Sequence, residues 1–264
     1  MKSLEAELAE ARALDVGPIA DAIEAIGFEC TRCGACCRAT SGGDDDSGGD
    51  DAPRGDTASG GDTASGEDDG RGAEERREDD GDDPHTATVF PDEVRTLVAA
   101  TAETFEEAYD WRDVARPMPY GLTQGPDGPE GETFEWALQT DDCGDCTFYR
   151  EGTGDDPGAC AVHADRPLVC RTYPFSLDLA GTSQPLGDPV DGEGLVRAHE
   201  CEGLGRAIDR ETAEDLAATL RERAIRELEE AIAVRDAYEP VETDGVVVHD
   251  SEGAKRPDGS RLRR

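Results

Sequence analysis

Nine cysteines are the residues best suited to chemistry, and they form two groups along the chain. The first group is the C-x2-C-x2-C-C motif of Cys30, Cys33, Cys36 and Cys37. The second group consists of Cys143, Cys146, Cys160, Cys170 and Cys201. Two residues between thiolates let a tight turn direct both sulfurs at one ion, as in zinc and iron–sulfur sites. Because thiolates are soft ligands, the pattern predicts zinc or iron rather than magnesium or calcium.

Two cysteines of the first group, Cys36 and Cys37, are adjacent. Neighbouring side chains diverge in an extended or irregular segment. We therefore expect that the two thiols do not bind one ion in the same way. One of them is then available to a second metal.

A disulfide framework is the alternative interpretation of so many cysteines. Their number is odd, and the N-terminus, Met1-Lys-Ser-Leu-Glu-Ala-Glu, is acidic and lacks the apolar stretch of a secretion signal. We therefore predict a cytoplasmic protein. Because the reducing cytosol opposes stable disulfides, metal binding is the favoured interpretation.

The cysteine pattern resembles that of the YkgJ-type family, known as the CxxCxxCC zinc- or iron-chelating domain. The motif is the first cysteine group, and the family's second block resembles the segments beginning Cys146-Thr-Phe-Tyr, Cys160-Ala-Val-His, Arg166-Pro-Leu-Val-Cys-Arg and Cys201-Glu-Gly-Leu-Gly. The likeness spans residues 26–205, and Cys143 stands outside it, either as a spare residue or as a replacement for Cys146. The resemblance implies metal ligands at eight positions, namely Cys30, Cys33, Cys36, Cys37, Cys146, Cys160, Cys170 and Cys201.

The ligand count leaves two arrangements open. Eight cysteines can form two four-thiolate sites, or six or seven can bind metal while one stays reactive. Two histidines close to cysteines, His163 and His199, are candidate nitrogen ligands. The alternative for each is a surface or packing role.

Two arginines, Arg166 and Arg171, flank Cys170. A metal ion or iron–sulfur cluster with four thiolates carries negative charge. The two guanidinium groups would offset that charge and donate hydrogen bonds to sulfur, which tunes affinity or potential. The alternative is a pair of surface arginines that bind nearby carboxylates.

These observations lead to two hypotheses about function. In the first, zinc stabilises a binding module whose protein or small-molecule partner is unknown. In the second, an iron–sulfur cluster serves redox or group-transfer chemistry. Some proteins related to the family are associated with flagellin lysine N-methylation, which makes methylation-related chemistry a variant of the second hypothesis. The lone Gly203-Leu-Gly205 is weak support for a methyl-donor loop, and no catalytic residue is identified.

The composition excludes several classes of protein. The chain has 63 acidic and 26 basic residues, a net charge of −37, and a pI of about 4.2. This charge disfavours nucleic-acid binding, and no apolar run approaches the length of a membrane span.

Only two basic residues are lysines, a composition that resembles proteins of halophilic archaea. At 1 M salt the Debye length is about 3 Å, so dense surface charge repels less.

Residues 41–84 differ from the rest of the chain. They contain 17 acidic residues and 11 glycines, and no Leu, Ile, Val or Phe. The hexapeptide Gly-Asp-Thr-Ala-Ser-Gly occurs twice in tandem, at 55–60 and 61–66. Because such a segment cannot bury enough apolar surface to offset its ordering entropy, we predict a disordered insertion.

The remaining residues predict a small α+β fold, with a cysteine-rich irregular core organised by metal, flanking helices and a few short strands. Pro91 is expected to start a helix, and a helix with Thr212 as its cap is expected over 212–238. Residues 117–131 are predicted to form a loop, and 133–139 a strand. The expected organisation is N-terminal helices in 1–29, the cysteine-cluster domain in 30–40 and 85–205, a packed C-terminal helix in 206–239 and a flexible tail in 240–264.

Overall fold

The computed structural model describes residues 2–39, 84–126, 128–153, 158–179, 190, 194–241 and 245–262. Within these ranges the protein has six helices and eleven short strands, which confirms the α+β class. The helices are α1 (Leu4–Ala13), α2 (Val16–Ile26), α3 (Pro91–Thr104), α4 (Trp111–Val114), α5 (Leu168–Thr172) and α6 (Arg210–Ala237). The strands are β1 (Thr88–Val89), β2 (Ala115–Pro117), β3 (Leu122–Gly125), β4 (Gly128–Thr133), β5 (Trp136–Leu138), β6 (Tyr149–Arg150), β7 (Ala159–Cys160), β8 (Phe175–Leu177), β9 (Val196–Ala198), β10 (Val246–Asp250) and β11 (Gly253–Lys255).

The N-terminal helices pack on the long C-terminal helix. Their break falls at Leu14 and Asp15, before Gly17-Pro18, because Asp15 caps α2 by accepting a hydrogen bond from the Gly17 N–H at 3.0 Å. Proline is tolerated in a first helical turn, so Pro18 does not interrupt α2. Helix α6 begins earlier than predicted, because Asp209 rather than Thr212 supplies the cap.

One hydrophobic core lies between α1, α2, α6 and the β8–β9 pair. The apolar side chains of these helices recur on one face, which buries them together and leaves the charged residues outside. Its fully or almost fully buried large side chains are Leu8, Ile19, Ile23, Phe175, Leu177, Leu220 and Leu228.

A second core lies under the three-stranded antiparallel sheet β1–β5–β2. Helix α3 starts at Pro91 as predicted, with Glu93 accepting a hydrogen bond from the Phe90 N–H. Its buried face and the sheet enclose Val89, Val94, Leu97, Val114, Trp136, Leu138 and Phe148. The predicted strand over 133–139 is confirmed in its centre, as β5.

The prediction of a loop over 117–131 is wrong. Most of this segment forms the antiparallel pair β3–β4, with Leu122 opposite Gly131 and Gly125 opposite Gly128. The glycines and prolines that indicated a loop occupy strands because β4 pairs on its other side with β10. Long-range pairing therefore overrides a weak local preference.

The prediction of a flexible tail over 240–264 is also wrong for most of its length. Strands β10 and β11 pair with each other, and β10 runs parallel to β4 in a four-stranded sheet. Val247 and Val248 are fully buried. The ammonium of buried Lys255 lies 2.7 Å from the Asp250 carboxylate, which also accepts a hydrogen bond from the Trp136 indole.

The predicted insertion at 41–84 lies almost entirely outside the described residues. The residues on either side of it, Ala39 and His85, both bind the turn at residues 144–145. The Ala39 N–H donates to Asp145 Oδ1 and the His85 N–H donates to the Gly144 carbonyl, each at 2.8 Å. Separately, none of the helices in the described ranges has the length and apolarity needed to cross a bilayer.

Candidate metal centre

Backbone pairing brings the first cysteine group onto the second. The Glu29 N–H donates to the Gly203 carbonyl at 3.0 Å, and the Gly205 N–H donates to the Gly27 carbonyl at 3.0 Å. On the other side, the Cys146 N–H donates to the Cys37 carbonyl at 2.7 Å. The segment that carries the C-x2-C-x2-C-C motif is therefore held between the 201–205 segment and the turn before β6.

A glycine lets the motif approach the rest of the domain. Gly34 has φ of +79°, and a Cβ on it would lie 2.4 Å from the Tyr149 ring. Arg38 covers the other part of this ring, with its guanidinium 5.2 Å from the ring centroid and bonded to the hydroxyl at 2.8 Å. The motif and β6 are thus tightly packed at this point.

Six of the nine cysteines line one cavity of about 730 Å³. They come from the 3-10 turn Ala35–Cys37, from the segment before it, from the turn before β6, from β7 and from α5. The six are Cys30, Cys36, Cys37, Cys146, Cys160 and Cys170. All nine cysteines are reduced thiols.

The adjacent thiols of Cys36 and Cys37 do not diverge. Their sulfurs are 3.9 Å apart, so the expectation of divergence is wrong. The reason is that residues 35–37 form a 3-10 turn instead of an extended segment. Four sulfurs placed tetrahedrally at the usual zinc–sulfur distance of about 2.3 Å lie about 3.8 Å apart, so this spacing is compatible with one shared ion.

The thiols of Cys36 and Cys37 differ in their pKa values. A hydrogen bond from Cys37 and the nearby charge of Arg166 lower the pKa of Cys36 to about 7, although burial opposes this effect. Cys37 has a raised pKa, because it shares its proton with Cys36 and is partly buried near other thiols. Cys36 therefore ionises readily. Cys37 is expected to ionise as well only when a bound cation offsets the second negative charge.

Three other cavity thiols, Cys146, Cys160 and Cys170, are held protonated by their surroundings. Burial raises the pKa of Cys146 to about 11 and also raises the pKa values of Cys160 and Cys170. Mutual repulsion contributes as well, since Cys146, Cys160 and Cys36 each oppose ionisation of Cys170. A bound metal cation would reverse this balance, because it deprotonates its thiol ligands.

Two further thiols, Cys33 and Cys201, interact beside the cavity. Burial raises the pKa of Cys201, and the charges of Cys33, Cys36 and Cys30 raise it further, while the Gly203 N–H donates to its sulfur at 3.4 Å. Burial and the charge of Cys201 raise the pKa of the neighbouring Tyr173 to about 12, and its hydroxyl donates to the Glu200 carbonyl.

Cys143, the ninth cysteine, is exposed and is not among the residues that line the cavity. Its N–H donates to Asp141 Oδ1 at 2.9 Å within a turn. Cys146, in contrast, is buried and lines the cavity. Of the two positions that the sequence left open, Cys146 is the one placed with the other thiols.

The candidate nitrogen ligands lie in different surroundings. His163 lines the cavity, and burial together with Arg166 and Arg32 lowers its pKa. His199 is only 4% exposed, lies outside the cavity lining and bonds through Nε2 to Ser176 Oγ at 2.8 Å. The structure therefore brings His163, but not His199, to the thiols.

Sequence reasoning missed His85. It lines the cavity, and burial lowers its pKa to about 4, so the imidazole is neutral and able to bind a metal. Its Nε2 is buried without a hydrogen-bond partner in the described part of the chain. No local signal could have identified His85, because its cysteine neighbours are distant in sequence.

The two arginines also differ. Arg166 lines the cavity and favours the thiolate forms of Cys36, Cys160 and Cys170, while its Nε donates to the His163 carbonyl at 2.9 Å. Arg171 is exposed and is not part of the lining. Two cationic side chains that the sequence did not indicate, Arg32 and Arg38, line the cavity instead.

The donor set fits a soft or borderline metal. Several thiols and neutral imidazoles surround one cavity next to an arginine, which is the ligand chemistry of zinc and iron sites. Within the described ranges, no three His, Cys, Asp or Glu side chains are close enough together to enclose an ion. The side chains thus share a cavity and must still move inward to coordinate a metal.

Comparison with known families agrees with this chemistry. Residues 84–202 match the model of the CxxCxxCC family, described as "Putative zinc- or iron-chelating domain". The match covers five of the nine cysteines and less than half of the chain, and it begins after the C-x2-C-x2-C-C motif. Searches of curated proteins and of solved structures gave no match. Over this range the chain is similar to a metal-chelating domain, which supports zinc or iron binding in general.

Proposed function

We propose that this protein binds zinc or iron at two neighbouring thiolate sites formed by both cysteine groups. The observation that carries the proposal is the convergence of six cysteines from five separate parts of the chain on one cavity. Burying so many thiols without a compensating cation is unfavourable for their ionised forms. Metal binding would supply the cation and couple its binding free energy to folding.

The division into two sites follows from which thiols influence one another. Cys37, Cys146 and Cys170 interact across the cavity, and Cys160 joins them. Cys201 interacts with Cys30 and Cys33. Cys36 takes part in both groups. We assign Cys37, Cys146, Cys160 and Cys170 to an inner site and Cys30, Cys33 and Cys201 to an outer site, with Cys36, whose sulfur is 3.9 Å from that of Cys37, placed to complete the outer site or to bridge the two.

An iron–sulfur redox or group-transfer enzyme is the second candidate function. The observation that favours it is the size and openness of the cavity, because a closed structural zinc site needs no space beside its ligands. Cys36 is exposed there, and Arg166 lines the same wall. A bound cluster would supply electron transfer, while Arg32, Arg38 and Arg166 would bind an anionic group of a substrate.

The first test is metal and acid-labile sulfide analysis, with an absorption spectrum, of protein purified anaerobically in high salt. About two equivalents of zinc without sulfide would support a structural or binding module. Iron with matching sulfide and visible absorption would support the redox or group-transfer candidate. Less than one equivalent of any metal, in protein that is folded by circular dichroism, would contradict both.

We also infer a cytoplasmic protein adapted to high salt. A net charge of −37 on 264 residues destabilises the folded state by self-repulsion at low ionic strength. Raising KCl from 0.1 M to 2 M is therefore expected to raise the melting temperature by at least about 5 °C. A melting temperature that is constant or falls over this range would contradict the inference.

A further inference from the structure

A second cavity, of about 650 Å³, lies next to the cysteine-lined cavity and shares Tyr120 with it. Helix α6 and strand β8 form one side, and strands β1 and β5 form the other. The cavity therefore separates the two hydrophobic cores. No cysteine is among the described residues that line it. Its volume is in the range of small-molecule sites, which commonly lie between packed units.

The interior of this cavity is apolar. Leu177, Leu220 and Leu228 of the helical core face Trp136 and Val89 of the second core. Such a surface binds an apolar body of matching size by releasing water.

Aromatic side chains surround its mouth. The described residues include four exposed large hydrophobic side chains, and three of them line this cavity: Tyr120 (66% exposed), Phe134 (46%) and Tyr238 (40%). The Phe134 and Tyr238 rings lie with their centroids 5.5 Å apart. Clustered exposed aromatics indicate a binding surface, and their ring faces attract cations.

Most charged groups of the cavity already have partners. Glu227 accepts a hydrogen bond from the buried Arg223 at 2.8 Å. Asp250 pairs with Lys255 at 2.7 Å. Arg235 pairs with Glu5 at 2.7 Å.

Two carboxylates of the cavity lack a cation. In the part of the chain that the structure describes, neither Glu135 nor Glu230 forms an ion pair; Glu230 accepts a hydrogen bond from the Ser251 N–H at 2.7 Å. Glu135 is accessible at the mouth, yet the surrounding protein and the charge of Glu230 raise its pKa. A cation placed there would relieve this repulsion.

We propose that this cavity binds an organic cation with an apolar body, such as a primary or alkylated amine. The apolar part lies against Trp136 and Leu220. The cationic group lies at the mouth, between the aromatic rings and the Glu135 carboxylate. The site adjoins the proposed metal centre at Tyr120, which lines both cavities, but among the described residues the two share no cysteine or histidine, so the proposal does not depend on which metal is bound there.

The test compares three probes of equal size: 4-phenylbutylamine, 4-phenylbutanol and 4-phenylbutyrate. Isothermal titration calorimetry is performed on the full-length, metal-loaded protein in 1 M KCl. The amine is expected to bind at least about ten times more tightly than the alcohol, and the carboxylate more weakly than both. Equal binding of amine and alcohol, or tighter binding of the carboxylate, would overturn the proposal.

Variants locate the binding. Glu135→Gln is expected to weaken amine binding about tenfold and leave alcohol binding unchanged, because it removes charge and keeps shape. Ala231→Trp, on the α6 wall, is expected to abolish binding of both probes by filling the cavity. Glu107→Gln, at an exposed site outside the lining, is the matched control. Unchanged amine affinity in Glu135→Gln, with metal content and melting temperature preserved, would also overturn the proposal.

Discussion

At the scale of single residues, burial separates cysteines that look alike in the sequence. Cys143 and Cys146 belong to the same C-x2-C pair, but only Cys146 is buried in the cavity wall. Burial, followed by the charges of the neighbouring thiols, raises the pKa of Cys170 well above its ordinary value. Without a cation nearby, ionisation of this thiol is unfavourable. A metal ion bound in the cavity would favour the thiolate, so Cys170 is well placed to be a ligand.

Cys170→Ser is therefore expected to lower metal content by about one equivalent and to destabilise the protein by at least about 2 kcal/mol, or several degrees in melting temperature. Cys143→Ser is the matched control and is expected to change neither quantity. Both are measured by metal analysis and calorimetry. Equal effects of the two substitutions would contradict the assignment of Cys170 to the metal centre.

Gly34 offers a second residue-scale prediction. A methyl group there would collide with the Tyr149 ring, and the positive φ disfavours any side chain. We expect Gly34→Ala to cost at least about 2 kcal/mol of stability and to reduce metal content. Gly245→Ala, which meets no atom within 4 Å, is the control. A normal melting temperature in Gly34→Ala would show that the motif is not held against β6.

At the scale of elements, helices were easier to predict than strands. Local signals such as Pro91 and the apolar face of α6 indicated α3 and α6 in advance. Strands β3, β4 and β10 were not predicted as a sheet, because β4 pairs with β10 across more than a hundred residues and the β3–β4 hairpin is rich in glycine, which gives little local strand signal. The turn that aligns Cys36 with Cys37 was missed for the same reason, since its docking partners are distant in sequence.

The β10–β11 hairpin gives a pH-dependent prediction. Hydrogen bonds from Arg95, at 2.7 Å, and from Lys255, at 2.8 Å, hold the pKa of Glu252 at about 2. Because this value is below the ordinary one, ionised Glu252 stabilises the fold above about pH 4.5, and the contribution is lost as the pH falls towards 2.

Glu252→Gln is accordingly expected to destabilise the protein by about 1 kcal/mol at pH 7, with the difference from the parent protein disappearing near pH 2. Urea unfolding at several pH values measures it. Glu106→Gln, an exposed site on another segment, serves as the control. A difference that stays constant with pH would contradict this role of the hairpin.

At the scale of the whole molecule, two cores and two cysteine groups are assembled from distant parts of the chain. The composition and the cysteine pattern predicted metal binding and the α+β class, because both depend on residue type. They could not predict the two cavities, which depend on how the cores meet. The boundary of the long acidic segment was predictable from composition, whereas the meeting of its flanks at Gly144 was not.

Deleting residues 44–80 is expected to leave metal content unchanged and to leave the melting temperature the same or a few degrees higher. Ala39 and Pro84 both lie beside Gly144, each 3.2 Å from where a Cβ on that glycine would stand, so a short connection can join them without moving either cysteine group. Shortening the loop from about 44 residues to about seven lowers the entropic cost of closing it by about 1.6 kcal/mol, which favours the folded state. Replacing the segment with a glycine–serine linker of seven residues is the control. Loss of metal in both variants would show that the segment contributes to the site.

The two ends of the acidic segment lie side by side at Gly144, so the peptide link through this segment is not what holds the two parts of the protein together. The part of the chain before the acidic segment carries α1, α2 and the C-x2-C-x2-C-C motif. The buried faces of α1 and α2 pack on α6. Backbone hydrogen bonds at Gly203 and Cys146 hold the motif to the rest of the chain. The peptide connection between the two parts serves mainly to keep their local concentration high. The metal centre therefore lies at an interface between two parts of one chain that associate noncovalently. Cleavage within the acidic segment is expected to leave two fragments that still bind each other.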